Sequence, residues 1–272
     1  MDGLTYQVES LLRDVADTEV LSRFGRLAPG DVRQKGSAKD LVTVADLEAE
    51  NRIREGLLRL APESQVVGEE AVYKSPKVLE TLSAECPVWV VDPIDGTRNF
   101  AEGRPCFAMM CALIEGGETQ AGWILDPVNG LCVTARRGEG AYMDGRRLEF
   151  SRPDDILDMT GSLGDGMRKR LTERRDGGDE DIPPNMVRYH CCGREYMDLA
   201  LGKIHFALYG GRLMPWDHAA GTLIVEEARG YARMTGDKSL YTPTRHHLGD
   251  HILIAPDAEA FSVLDAILFP DL

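Results

Sequence analysis

The segment that most constrains how this chain can fold is an apolar run that ends on two aspartates. Residues Val88–Phe100 read VWVVDPIDGTRNF, and the four apolar residues at the start predict a buried β-strand. Pro93 holds Asp92 extended, because a residue before proline disfavours the helical region. If a helix starts after Asp95, the next two backbone N–H groups have no upstream carbonyl partner. The turn therefore presents two carboxylates that suit a hard divalent cation, beside N–H donors that suit a phosphate oxygen.

Each acidic residue that could bind a cation here also has a simpler structural explanation. Asp95 could cap a helix, with the preceding aspartate in a turn. Asp46 and Asp217 also stand where helices are expected to start, and each could be an N-cap worth about 1 kcal/mol. The adjacent residues Glu69 and Glu70 follow a predicted strand, and such pairs usually form a solvated surface. No single motif therefore identifies a cation site by itself.

The charge balance restricts the classes of ligand. The chain carries 31 Lys and Arg against 45 Asp and Glu, a formal net charge of −14. This argues against binding of a nucleic-acid polymer, whose phosphates are contacted by Lys and Arg. It would also repel a small anionic substrate, unless bound cations reverse the local field. P-loop and dinucleotide-binding motifs are absent from the sequence, so we expect neither ATP nor a dinucleotide cofactor.

Membrane and disulfide signals are also missing from the sequence. The apolar runs are shorter than the roughly 18 residues that a membrane helix needs, and the first residues do not have the pattern of a signal peptide. The six cysteines form no CxxC pair, so a disulfide framework or zinc site is not expected. Cys191 and Cys192 are interpreted as buried apolar residues. These features favour a cytoplasmic protein that does not bind membranes.

The hydrophobic pattern predicts two parts of different type. Residues Thr5–Phe24 and Asp46–Leu60 have helical spacing. Strands are predicted next, at Val66–Val67, Val88–Val91, Ala108–Ile114, Ala121–Leu125 and Leu131–Ala135. The polar stretch Gly164–Pro184 is expected to be a solvated loop or a frayed helix. Strands and helices then alternate over Val187–Tyr189, Glu195–Leu201, His205–Tyr209, Ala219–Ala228 and Ile252–Ala255. We expect an N-terminal α+β half at residues 1–152 and a C-terminal α/β half at residues 153–272.

Taken together, the motifs resemble the inositol monophosphatase family of metal-dependent, lithium-sensitive sugar phosphatases. The W-x-x-D-P-[IL]-D-G-T-x-N-F signature of that family is complete at Trp89–Phe100, and its W-D-x-A-A-G signature is complete at Trp216–Gly221. Supporting matches are Asp40-Leu41-Val42-Thr43 followed by Asp46, Gly68-Glu69-Glu70, and the hairpin Gly138–Gly145. The resemblance implies a mixed α+β and α/β fold, a layered αβαβα sandwich of the sugar-phosphatase type, in which the C-terminal half completes the active site.

The resemblance further implies a set of metal ligands. Glu69, Asp92 and Asp95, with the main-chain oxygen of Ile94, would form the shell of a first Mg²⁺, and the two aspartates with Asp217 would hold a second. The family pattern uses two or three such ions. They would bind the phosphate oxygens, lower the pKa of a water molecule and stabilise the departing alkoxide. They would also neutralise carboxylates that otherwise repel one another.

Catalytic and phosphate-binding roles follow from the same resemblance. Thr97, hydrogen-bonded to Asp46, would orient the attacking water, with Glu70 nearby. Backbone N–H groups of Gly96 and Thr97 would hold the phosphate. Water attacks phosphorus directly in this family, so no covalent phosphoenzyme is implied. Inhibition by lithium and assembly as a homodimer are further expectations from the resemblance.

Substrate choice is where the sequence departs from the family pattern. Inositol-specific members carry a hydroxyl-binding glutamate shortly before the aspartate of the W-D signature, but Leu208–Met214 reads LYGGRLM, without a carboxylate. The Gly-Ser/Thr-Ala segment of the pocket is likewise replaced, around Cys191–Glu195. Arg194 and Arg212 could contact a second acidic group or the phosphate. Each arginine could equally form a surface ion pair.

These inferences predict a Mg²⁺-dependent phosphomonoesterase. Its partner would be a small phosphorylated polyol or alcohol similar to inositol 1-monophosphate, hydrolysed through two-metal activation of water. Histidinol phosphate and nucleotide 3′-phosphates such as adenosine 3′,5′-bisphosphate stay open as substrates. A non-catalytic regulator on the same fold is a different class of function, and it is disfavoured because every expected ligand is present.

Overall fold

A computed structural model describes residues 3–28, 30–35, 41–245 and 247–270. Asp40, which belongs to one of the supporting motif matches, lies outside these residues. The helices are α1 (Gly3–Val15, continued by a π-helical turn at Ala16–Leu21), α2 (Val44–Leu60), α3 (Glu69–Lys74), α4 (Thr97–Ala101), α5 (Asp165–Asp176), α6 (Cys192–Ala200), α7 (Pro215–Glu227) and α8 (Ala258–Leu268), with short 3₁₀ helices at Pro76–Ser83 and Ile156–Asp158.

Within the described ranges, the strands form three sheets. Their bounds are β1 (Val32–Gln34), β2 (Leu41–Thr43), β3 (Gln65–Gly68), β4 (Val88–Asp95), β5 (Ala108–Glu115), β6 (Glu118–Asp126), β7 (Leu131–Arg136), β8 (Gly140–Met143), β9 (Arg146–Arg147), β10 (Thr160–Ser162), β11 (Asn185–Val187), β12 (Phe206–Arg212), β13 (Tyr231–Met234) and β14 (Leu248–Ala255). β1 and β2 pair with each other. The sheet orders are β3-β4-β5-β6-β7-β8-β9 and β11-β10-β12-β14-β13.

Side-chain alternation along the first large sheet explains why helices cover both of its faces. Successive strand residues point to opposite faces. Along β4, Trp89 and Val91 belong to the buried cluster that contains α1 and α2. Their neighbours Val88 and Val90 belong to the cluster that contains α6 and α7. This continuous apolar run therefore fits a strand buried on both faces.

The second large sheet repeats this arrangement and completes the layers. Along β14, Ile252 and Ile254 join the cluster of α6 and α7, which lie between the two sheets. Leu253 and Ala255 join the outer cluster that contains α8 and one residue of α5, Leu171. The layer order is therefore αβαβα, and the predicted fold class is confirmed.

The predicted elements agree with the structure in kind and differ at their ends. β4 continues past the predicted end at Val91 to Asp95. Within Gly164–Pro184 the helical alternative is observed as α5, although Leu171 is its one buried residue. The chain leaves the first large sheet after Arg147 and enters the second at Thr160. The division at residue 152 stays a prediction. No helix in the described ranges is both long enough and apolar enough to cross a bilayer.

We expect Leu57→Ala to lower the free energy of unfolding by about 2–5 kcal/mol, because it removes a fully buried side chain between α2 and the sheet. Leu240→Ala is the matched control, since Leu240 is 46 % exposed and its loss should cost about 0.5 kcal/mol or less. Urea denaturation measures both values. Equal losses in the two variants would contradict this description of the core.

Candidate active site

An irregularity in β4 brings two aspartates to the same side of the strand. Asp92 pairs with Met110 of β5, and Asp95 pairs with Ala108, so three steps along β4 match two along β5. In a regular strand, residues three apart would face opposite sides, but one extra residue restores a common side. Pro93 is tolerated here because proline has no backbone N–H, and a bulge leaves a residue out of the hydrogen-bond ladder.

Elements from both halves of the chain line one cavity of about 500 Å³ with these aspartates. β3 runs parallel to β4 with Gly68 opposite Val91, which puts Glu69 beside the end of β4. Asp217 comes from the first turn of α7. The lining includes all five predicted metal-binding residues and the predicted phosphate-binding pair: Glu69, Asp92, Ile94, Asp95, Gly96, Thr97 and Asp217. The structure therefore brings these predicted residues together.

The carboxylates at this cavity repel one another. Burial, then the charges of Glu69, Asp95 and Asp217, raises the pKa of Asp92 well above its ordinary value. Burial and the charge of Asp95 do the same for Asp217. A set of converging oxygen ligands with an excess of negative charge fits hard divalent cations such as Mg²⁺. The donor set thus agrees with the metal that the sequence predicts.

The ammonium group of Lys35 lies beside the glutamates of this site, and it was not predicted from the sequence. Its Nζ lies 2.6 Å from Glu69 Oε1 and 2.5 Å from Glu70 Oε1, and its side chain is 2 % exposed. Burial lowers the pKa of Lys35, but the two glutamates outweigh this effect and raise it. Tyr73 holds the segment by donating its hydroxyl to Lys35 O at 2.5 Å. Glu70 is buried behind Glu69 and does not line the cavity.

Asp46 makes both the contacts of a helix cap and the predicted contact with Thr97. One oxygen, Oδ2, accepts hydrogen bonds from the N–H and the hydroxyl of Thr43, which caps α2. The other, Oδ1, lies 3.1 Å from Thr97 Oγ1. The Thr97 hydroxyl is also 2.9 Å from Ile94 O. Burial raises the pKa of Asp46 to about 7.

Asp95 is held by the start of α6, which comes from the C-terminal half. Its Oδ2 accepts a hydrogen bond from Gly193 N–H at 2.5 Å and one from Cys191 Sγ at 3.1 Å. Gly193 allows this approach, because a Cβ there would lie 2.8 Å from Ala108 Cβ. The Sγ of Cys192 groups with carboxylate oxygens of Asp95 and Asp217, all within 4.8 Å of one another. The two cysteines are therefore polar partners in the site rather than inert apolar residues.

Glu50 is a second residue that supports the site without having been predicted from the sequence. Its carboxylate accepts hydrogen bonds from Glu70 N–H at 2.7 Å and Ala71 N–H at 2.9 Å, in the first turn of α3. Burial raises the pKa of Glu50 to about 7. Glu50 stands one helical turn after Asp46 on α2, so the four-residue spacing of two acids was an available signal. It fixes the helix that carries Glu69.

The two predicted substrate-binding arginines occupy different places. Arg212 lines the cavity that contains the carboxylates and also a neighbouring one. Arg194 lies on α6, where its guanidinium pairs with the fully buried Asp126 of β6, and it lines neither cavity. Asp126 also accepts from Asn129 Nδ2 at 2.6 Å. The environment of Arg194 is thus that of a structural ion pair in the protein interior.

Comparisons with known proteins agree with this geometry. A family model described as the inositol monophosphatase family matches residues 3–260. The fructose-1,6-bisphosphatase/inositol-1-monophosphatase of Thermotoga maritima is 30 % identical over 240 residues, which cover 85 % of this chain and 84 % of the relative. Inositol monophosphatase 1 of Rattus norvegicus is 35 % identical over 206 residues, covering 74 % and 73 %. The crystal structure of the extragenic suppressor protein suhB from Bartonella henselae superposes with a TM-score of 0.82, at 23 % identity and full coverage of both chains.

Removal of divalent cations is expected to destabilise the protein more at pH 8 than at pH 5.5. The folded-state pKa values of Asp92 and Asp217 lie above their ordinary values. Such groups stabilise the fold at low pH, and this stability is lost as the pH rises through the folded-state pKa. Cations bound at these carboxylates would replace the missing protons at high pH, and a concentration 100-fold above Kd should add about 2.7 kcal/mol, or about 5 °C or more in Tm.

Thermal unfolding with Mg²⁺ or with chelator at the two pH values measures this difference. Mg²⁺ and chelator are compared at the same pH, so the effects on Tm of titrating groups outside the site cancel. The same shift in Tm at both pH values would contradict the electrostatic description of the site.

Arg194→Met is expected to lower the free energy of unfolding by about 3–5 kcal/mol, because it leaves Asp126 buried without its counter-charge. The double variant that adds Asp126→Asn should recover part of the loss. Arg229→Met, at a side chain that is 71 % exposed, is the control. Chemical denaturation decides the point, and a loss no larger than in the control would refute the structural role.

Proposed function

The chain belongs to the inositol monophosphatase family of phosphatases, and we propose that it is a Mg²⁺-dependent phosphomonoesterase acting on a small phosphorylated polyol or alcohol. The observation that carries this proposal is the meeting of Glu69, Asp92, Asp95 and Asp217 at one cavity. They come from three separate elements, α3, β4 and α7, so their convergence is a property of the whole fold. Inhibition by lithium, a homodimer and a cytoplasmic location stay predictions.

The cation ligands are proposed from the donor set. Glu69, Asp92, Asp95 and the main-chain oxygen of Ile94 would hold one Mg²⁺, and the two aspartates with Asp217 would hold another. Bound there, such ions supply positive charge for the phosphate oxygens and for the leaving alkoxide, and they lower the pKa of water. Ile94 O lies 2.9 Å from the hydroxyl oxygen of Thr97, and a carbonyl oxygen has two lone pairs, so one is available to a cation even when the hydroxyl donates to the other.

Thr97 and Asp46 form the proposed water-orienting pair. The hydroxyl of Thr97 has one proton, and both acceptors within its reach belong to the protein: Asp46 Oδ1 and Ile94 O. With that proton directed to a protein oxygen, the hydroxyl can only accept a hydrogen bond from a bound water. The water then donates a proton to Thr97 and turns a lone pair towards phosphorus. Asp46, with its pKa near 7, can take up a proton through Thr97 at neutral pH. Glu70 does not line the cavity, and it would affect the site through Lys35, whose ammonium group it shares with Glu69.

Backbone donors are proposed to hold the phosphate. Gly96 and Thr97 line the cavity at the start of α4. Gly96 has φ +86°, a conformation that glycine adopts without strain and that ends β4 sharply beside the carboxylates. The N–H groups of this turn would contact phosphate oxygens on the side away from the cations.

A phosphate-release screen tests the function. Purified protein with Mg²⁺ is assayed on inositol 1-phosphate, sugar and polyol phosphates, histidinol phosphate and nucleotide monophosphates. We expect release from at least one compound and its abolition by excess chelator. Undiminished turnover in chelator would contradict the proposal, and no release from any compound would favour a non-catalytic role.

Asp95→Asn and Asp217→Asn are expected to lower kcat by about 10³-fold or more, because each removes a charge that holds the cations. Asp154→Asn, at an exposed position, is the control and should retain activity. Thr97→Ala should lower kcat about 10²-fold with little change in KM, whereas Thr97→Ser keeps the hydroxyl and most of the activity. Circular dichroism checks that each variant is folded. Full activity of Asp95→Asn or Asp217→Asn would refute the assigned ligands.

A further inference from the structure

We propose that the substrate carries a second anionic group, a phosphate or a carboxylate, in addition to the phosphate that is removed. The site for this group is the neighbouring cavity of about 530 Å³, where Arg188, Arg212 and His251 are available to bind it. The inference rests on the proposed function, because it assumes that the first phosphate binds beside Asp95 and Asp217.

The two cavities are continuous in their lining. Asp95, Arg212 and Asp217 line both, so a molecule whose phosphate lies at the carboxylates extends directly into the second cavity. The volume of the second cavity is within the range of about 300–1,000 Å³ typical of small-molecule sites. A substrate with two anionic ends would therefore fit across the shared wall.

Arg212 is directed to this wall by an irregularity in β12. The pairing of β12 with β14 shifts register between Gly210 and Arg212, and Gly211 has φ +90°. A bulge of this kind redirects the side chain that follows it. Arg212 forms no ion pair with any residue that the structure describes, so its guanidinium is available to an anion.

Arg188 follows the end of β11 on another side of the cavity. Its Nε donates to His190 Nδ1 at 3.1 Å, which leaves the two terminal nitrogens for a ligand. The nearest carboxylate in the described part of the chain is Asp165, at 3.8 Å from Nε and 70 % exposed. An exposed pair at this distance contributes little and yields readily to a bound anion.

His251 takes the space that a longer side chain would need at Gly210. A Cβ on Gly210 would lie 2.2 Å from His251 Cδ2, so a glutamate cannot be accommodated there while the imidazole stays in place. The ring packs on Phe269 with centroids 5.1 Å apart. The segment 208–214 contains no carboxylate, so this side of the cavity presents the guanidinium of Arg212 and the imidazole of His251.

The remaining acid of the described lining is already engaged. Glu195 is 6 % exposed, and its carboxylate accepts from Tyr189 N–H at 3.1 Å and from the hydroxyl of Ser162. His218 is 5 % exposed, and its Nδ1 lies 3.1 Å from the hydroxyl oxygen of Tyr196. The groups left to contact a ligand away from the cation ligands are thus mainly basic. A substrate with a cationic tail, such as histidinol phosphate, would meet two arginines and be disfavoured.

Matched substrate pairs test the inference. Glycerol 2-phosphate is compared with 2-phosphoglycerate, and fructose 1-phosphate with fructose 1,6-bisphosphate, so that each pair differs in the second anionic group. We expect this group to raise kcat/KM by about tenfold or more, as two charge-assisted contacts imply. In the double variant Arg188→Gln/Arg212→Gln, the preference should fall by about fivefold or more. Arg59→Gln, an exposed charge change at the far end of α2, should leave the preference as it is.

The outcomes separate this inference from the proposed function. If both members of each pair release phosphate with similar kcat/KM, the second-anion site is wrong and the phosphatase assignment stands. A preference that survives in the double variant would also overturn it. If none of the four compounds is turned over, calorimetry with Ca²⁺ in place of Mg²⁺ decides: binding of the doubly anionic compounds about tenfold tighter supports the site, and equal affinity within a pair overturns it.

Discussion

Repulsion among buried carboxylates is the constraint on which the rest of this site depends. Asp92, Asp95 and Asp217 meet with Glu69 at one cavity, and burial together with neighbouring charges raises the pKa values of the three aspartates. The protein offsets part of this cost with Lys35 and with the hydrogen bonds donated to Asp95. Divalent cations, in our proposal, offset the remainder. Without cations the site carries an excess of negative charge, and divalent cations bound there would neutralise it.

Several residues serve the fold and the site at the same time. Asp46 completes the cap of α2 with one oxygen and holds Thr97 with the other. Glu50 satisfies the first N–H groups of α3 and so fixes Glu69. Gly193 closes the contact between α6 and β4 by donating to Asp95. Structural and functional explanations of these residues are therefore not alternatives, because the same hydrogen bonds that stabilise the helix ends also position the site.

In our proposal, the second cavity presents basic side chains to the substrate. Between the sheets, α7 supplies Asp217 and α6 donates a hydrogen bond to Asp95, whereas β12 and β14 line the second cavity. In this chain those strands place Arg212 and His251 there. A protein with a net charge of −14 repels anions at long range, so any anion that it binds must be selected by local groups of this type.

The sequence by itself predicted most of the elements and the ligand set that we propose. The apolar run before Asp92, the helical spacing of α2 and the two complete signatures depend on neighbours in the chain, so they can be read in order. Tertiary structure alone decided which distant groups meet: Lys35 with Glu69 and Glu70, and Arg194 with Asp126 rather than with the cavity. A side chain's partner across two sheets depends on how the layers pack, and local spacing carries no information about that packing.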